Sequence, residues 1–218
     1  MNFLHSIVNF LVEGGIWMTP ILLVGVVGFS ISIERYIKLG KVERANRRMW
    51  EELHPVIIAR DFDRALEMTS KDTSTISQLL QTGLECHGAG QQMRRDEVEL
   101  AMEEEMMAVI HQLEKRTPYL ALYANLATLM GLLGTIIGLI QAFDAVANAA
   151  PAEKANLLSS SISVAMNCTA FGLIVSIPLM IMHLFLSTKA SVIVDSLEMA
   201  SLKTLNVISG ARRSTKTD

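Results

Sequence analysis

Three stretches of the 218-residue chain contain no Asp, Glu, Lys or Arg, and their lengths decide the fold class. They cover 16–33 (IWMTPILLVGVVGFSISI), 119–143 and 162–186, the last two broken only by small, amide or imidazole side chains such as Gln141, Asn167 and His183. At about 1.5 Å per residue, the first just reaches across a hydrocarbon core of about 30 Å and the others exceed it. Inside lipid every backbone amide must be paired within its own segment, so each run is expected to be a helix. The expected fold is therefore all-α, a polytopic membrane protein with three transmembrane helices.

Composition agrees. Half of the residues are hydrophobic, 19% are charged and the mean hydropathy is +0.36, which excludes a disordered chain. A net charge of −3 offers no basic footprint for nucleic acid. Of the 19 Lys and Arg, all but Lys154 fall within 35–116 and 189–216. The positive-inside rule then places the N-terminus outside and the large loop and the C-terminus in the cytoplasm. The expected organisation is an interfacial helix over 1–15, spans at 16–33, 119–143 and 162–186, a cytoplasmic helical region over 34–118, an outside loop over 144–161 and a cytoplasmic helix and tail over 187–218. The first fifteen residues lack Lys and Arg, so they are read as an uncleaved surface helix rather than a signal peptide.

The charged segments also read as helices, over 41–59, 61–69 and 74–85, with a turn at HGAG (87–90). From Arg94 the residues Val98, Ala101, Met102, Glu105, Met106, Val109, Ile110 and Leu113 keep helical spacing, and no breaker precedes Pro118. A helix continuing into the second span is expected there, as is a third span continuing past Lys189. Such helices carry apolar stripes that need partners, other copies of the chain being the natural ones. Met93, Met102, Met106 and Met107 read as packing residues and Glu103, Glu104 and Glu105 as solvated surface. Cys86 and Cys168 lie in unlike surroundings and are expected to be free thiols.

In the second span Ala127, Gly131, Thr135, Gly138 and Ala142 fall at offsets 0, 4, 8, 11 and 15; in the third, Ser161, Ala165, Thr169, Gly172 and Ser176 repeat the same offsets. Each set occupies one helix face. Thr135 lies eight residues before Phe143 and Thr169 seven after Ile162, so both hydroxyls sit about 10–12 Å below the outer edge of the apolar zone. Small residues at this spacing commonly serve close helix packing; two matched stripes with level threonines also suit a shared hydroxyl-lined surface. No ionisable carboxylate or cation lies inside any span. A proton relay would need its acid from another polypeptide.

The strings LMGLLGTIIGLIQAF (129–143) and CTAFGLIVSIP (168–178) resemble the paired signatures of the MotA/TolQ/ExbB proton channel family. Three spans and a length near 220 resemble its ExbB/TolQ branch, and the Glu34–Arg35 pair after the first span is a supporting match. The resemblance implies a homopentamer around a central pore lined by the second and third helices. That pore would hold the single span of an ExbD/TolR-like partner, in two copies, whose membrane Asp carries the proton past Thr135 and Thr169. Work would pass to the outer membrane through a TonB/TolA-like protein. No cofactor is implied; the transported ion is a proton, with sodium as the alternative. One position departs from the pattern: five residues before Thr169, where the branch usually has Glu, stands Val164. Other outputs, such as a MotA-like stator for gliding, therefore stay open.

Gly134, Asn167 and Pro178 are read as packing and kink positions, Asn167 about 200° around the helix from Thr169 and Pro178 freeing the carbonyl of Ile174. His183 reads as an interfacial residue, and Trp17, Tyr119 and Tyr123 as interfacial anchors. No nucleophile–base set, phosphate loop or metal spacing supports an enzyme. Two readings remain, an ion-driven stator subunit and a membrane scaffold that passes no ion.

Overall fold

The computed structural model describes residues 16–88 and 95–215, and every regular element among them is an α-helix. In chain order these are α1 (Met18–Ile58), α2 (Phe62–Lys71), α3 (Thr75–Gly88), α4 (Arg95–Glu114), α5 (Thr117–Asn148) and α6 (Lys154–Thr215). Apolar windows long enough to cross a membrane lie in α1, α5 and α6. The surface helix expected over 1–15, Met93 and the end of the HGAG turn lie outside the described residues.

The helices overrun the apolar runs. α1 is continuous from the first span through the segment expected as a separate helix from residue 41, and α6 continues past Lys189 as expected. The connection expected over 144–161 is non-helical only at 149–153, because the Ala-rich 145–148 stretch carries α5 onward until Pro151.

One expectation is overturned. The chain does not run as a single helix into the second span: α4 ends at Glu114, and Arg116 adopts a left-handed conformation at φ 70° before α5 begins. Pro118 supplies the reason, since its ring excludes a helical carbonyl four residues earlier, at residue 114.

Contacts divide the chain into two units, Met1–Arg35 with Arg116–Phe185, and Tyr36–Lys115 with Leu186–Asp218. The first holds the apolar runs. Its core gathers Met18, Ile21, Ala124, Ala127, Cys168, Val175 and Leu179, flanked by Trp17, Tyr123 and Phe171. Gly25 and Gly28 admit Val175 and Leu179, whose methyls lie 3.0 and 2.8 Å from where a Cβ would stand. Leu23, Ile140, Met166, Ile174 and Leu184 point outward, as residues solvated by lipid do.

The second unit packs larger aliphatics: Leu39, Leu53 and Ile57 of α1, Leu79, Leu80 and Leu84 of α3, Met102 of α4 and Leu197 of α6 are buried. Met106 is buried too, whereas Met107 is exposed and does not pack as expected. Polar caps fix the short helices. Asp61 accepts from the Arg64 N–H to start α2, and Ser74 caps α3 through the Ser77 N–H. Asn46 of α1 reinforces the same helix start, accepting from Thr75 Oγ1 at 2.9 Å and the Ile76 N–H at 3.2 Å. Partial burial pushes the Asp72 carboxyl up, but hydrogen bonds from the Ser74 and Ser77 hydroxyls and from backbone N–H groups outweigh it. Its pKa ends below the ordinary value.

Candidate functional site

The two stripes of small residues meet each other within one chain. A Cβ on Gly131 would stand 3.1 Å from the Cys168 carbonyl and 3.2 Å from Gly172 Cα; one on Gly172 would stand 2.7 Å from the Ala127 carbonyl. Backbone faces backbone, and neither side can yield as a flexible side chain could. Farther along, a Cβ on Gly138 would stand 3.0 Å from the Ala165 Cβ. A Cβ on Gly134, about 60° around α5 from Gly131, would press against Cys168 Sγ and the Cβ of Trp17, just ahead of α1. Without glycine at 131 and 172, α5 and α6 could not approach this closely.

Ala127, Gly131, Ala142, Ala165, Gly172 and Ser176 are buried within the single chain, and of these Ala127, Gly131, Ala165 and Gly172 meet across the seam between α5 and α6. Thr135, Gly138, Ser161 and Thr169 are only half-buried. Thr135 and Thr169 stand at the seam's edge.

There the two threonines come together. Thr169 Oγ1 donates across the seam to the Gly131 carbonyl at 3.0 Å and lies 3.5 Å from Thr135 Oγ1, while Thr135 donates to the Leu132 carbonyl of its own helix at 2.6 Å. The equal depth expected from residue counting is matched by this proximity. Both hydroxyl protons are engaged on carbonyls, which leaves oxygen lone pairs as the free chemistry. The pair can accept a hydrogen bond from an acid or help ligate a small cation. Val164 is at the surface and Asn167 is half-buried. Pro178 sits inside the unbroken α6.

A second cluster lies where α1, α5 and α6 leave the apolar zone, and the sequence indicated only parts of it. Arg116 Nη1 bonds both oxygens of Glu34 at 2.8 and 2.9 Å. His183, read as merely interfacial, meets the Thr117 carbonyl at 3.1 Å, which requires its Nδ1 to carry the proton. Arg35 is enclosed, and burial lowers its guanidinium pKa, Glu34 opposing and Arg116 adding to the effect. Glu34 and Arg35 stood out in the sequence as a pair, and Arg116 stood next to the Thr–Pro step. Their meeting across 82 positions had no local signal.

Among the described residues no group of three His, Cys, Asp or Glu could hold a metal ion. Cys86 and Cys168 are free thiols.

Comparison with known proteins matches residues 71–199 to the family described as the MotA/TolQ/ExbB proton channel family. The chain is 33% identical over 92 residues to biopolymer transport protein exbB1 of Vibrio cholerae, covering 42% of this chain and 39% of that protein. It is 34% identical over 93 residues to Tol-Pal system protein TolQ of Haemophilus influenzae, covering 43% and 40%. A putative biopolymer transport protein ExbB homolog of Methanothermobacter thermautotrophicus matches at 26% over 208 residues, covering 91% and 69%. The alignments with the two bacterial proteins thus span about two fifths of their lengths.

Proposed function

Because the chain belongs to the MotA/TolQ/ExbB proton channel family, we propose that it is the stator subunit of an ion-driven motor of the bacterial inner membrane. In this reading five copies surround a pore that holds the single span of an ExbD/TolR-like partner, in two copies. The partner's membrane Asp carries the proton. The proton motive force drives transport or other work at the outer membrane, relayed by a TonB/TolA-like protein. The N-terminus lies in the periplasm and the C-terminus in the cytoplasm.

The observation that carries this reading is the Thr135–Thr169 pair at 3.5 Å, set in spans that contain no carboxylate of their own. A protonated carboxyl can donate to either hydroxyl oxygen, since the threonine protons are already bound to backbone carbonyls. Once the acid ionises, it loses that donor and the attraction reverses to lone-pair repulsion. The threonines thereby favour the neutral form of the acid as it passes, which is what moving a carboxyl through a low-dielectric layer requires. Proton flux into liposomes, measured for the chain with and without a one-span partner bearing a membrane Asp, tests the reading. Flux only with the partner supports it, and flux from the chain alone contradicts it.

A scaffold that passes no ion is the second reading, favoured by the backbone contact at Gly131 and Gly172. It expects flux in neither preparation. A sodium-driven, MotA-like output is favoured by Val164 and would appear as flux that follows the sodium gradient.

A further inference from the structure

Within the second unit, α1 and α6 enclose a cleft of about 380 Å³. We propose that this cleft binds the headgroup phosphate of an anionic phospholipid from the cytoplasmic leaflet.

The cleft opens over Gly40, which has no side chain to occupy it. A Cβ there would meet only Lys189 Nζ, at 3.9 Å. The bare carbonyl of Gly40 also receives the Arg44 Nε–H at 2.9 Å, which folds that guanidinium back over the notch and leaves its Nη groups for an anion. A mid-helix glycine lowers helix stability relative to alanine. Lys189 Nζ lies 5.5 Å from the centre of the Tyr36 ring and 2.9 Å from Glu43 Oε2. Two cations thus converge on one glycine from two helices, beside an aromatic ring and one carboxylate.

The depth suits a lipid. Tyr36 lies three residues past the first apolar run and Gly40 seven, about 4.5 and 10 Å outside the hydrocarbon, and Lys189 reaches in from three residues past the third run, so the cleft brackets the headgroup layer. The headgroup layer is roughly 5–8 Å thick on each side. Tyr36 and Ile37 are half exposed at the cleft, offering apolar surface to the glycerol end of a lipid. Charge favours the same occupant: residues 36–48 carry five cations against one carboxylate, Glu43, and cations beside an anionic membrane surface attract its lipids. Of these cations, Arg47 and Arg48 are paired with Glu51 and Glu52.

Native mass spectrometry of the full chain released from micelles containing equal phosphatidylglycerol and phosphatidylcholine tests this. The wild type should retain phosphatidylglycerol about tenfold over phosphatidylcholine, and millimolar inorganic phosphate should not displace it. Lys189→Ala with Arg44→Ala should abolish the preference. Gly40→Leu keeps every charge and improves helix propensity, yet should abolish it too by filling the notch. Glu43→Gln should raise retention by removing the competing carboxylate. Equal retention of both lipids by the wild type would overturn the proposal. So would displacement by inorganic phosphate, or full preference in Gly40→Leu even if the charge variant loses it, since that would mean diffuse attraction and no cleft.

Discussion

The two units of the chain are held together by opposite means. In the unit carrying the apolar runs, close contacts form at glycines: Gly131 meets Gly172 backbone to backbone, while leucines such as Leu23 and Leu184 face outward. In the other unit leucines face inward, and the helix ends are fixed by Asp61, Ser74 and Asn46. The difference follows from the solvent. Lipid gives no advantage to burying a leucine, so close approach and a Thr169-to-carbonyl bond carry the association. Water rewards leucine burial and punishes uncapped amides.

The contrast breaks most sharply at Gly172. Gly172→Leu should disrupt the α5–α6 seam by 3 kcal/mol or more, on the order of the upper range for overpacking, because the obstacle is the Ala127 carbonyl. Loss of monodisperse protein in detergent would register it. The reverse change should break the other unit: Leu53→Ala, fully enclosed in α1, should cost about 2–5 kcal/mol in a thermal melt. Tolerance of Gly172→Leu would remove the distinction between the units.

Smaller effects sharpen it. Ser74→Ala should cost about 1 kcal/mol, the usual value of an N-cap. The Asp72 carboxyl beside it titrates below its ordinary 3.8, so its contribution is fully present above that pH. The contribution is lost as pH falls through the lower folded value. A denaturation series from pH 6 downward should show this decline, and Asp72→Asn should flatten it. Smallest is Arg60→Gly. Arg60 closes α1 at φ 62°, its N–H bonding the Ile57 carbonyl, a place where glycine avoids a penalty of about 1 kcal/mol. A slightly raised melting temperature is expected.

How much of this could be read from the sequence differs residue by residue. The spans were legible because lipid forbids charge over a fixed length. The helical rhythm of Val98 to Leu113 and of the residues past Lys189 was legible for the same periodic reason. The stripes were legible as faces, but period alone does not say what a face meets, and Gly131 turned out to meet Gly172 of its own chain. The break at Arg116 was missed because arginine carries no turn signal. The left-handed residue is held by Glu34 from 82 positions away and by the demands of Pro118. Asn46 as a cap for α3 was likewise invisible, because that helix's first residues lie 29 and 30 positions farther on.

Thr135 gives the most direct test of the proposed ion path. Its hydroxyl donates only within its own helix, to Leu132, so Thr135→Val removes an oxygen from the edge while leaving the Gly131–Gly172 contact and the Thr169 bond in place. The measurement is proton flux in liposomes holding the chain with its one-span partner. Thr135→Val should lower flux by about tenfold, the equivalent of one hydrogen bond of roughly 1.4 kcal/mol. Thr135→Ser should restore it, with assembly unchanged in both. Wild-type flux in Thr135→Val would contradict the account.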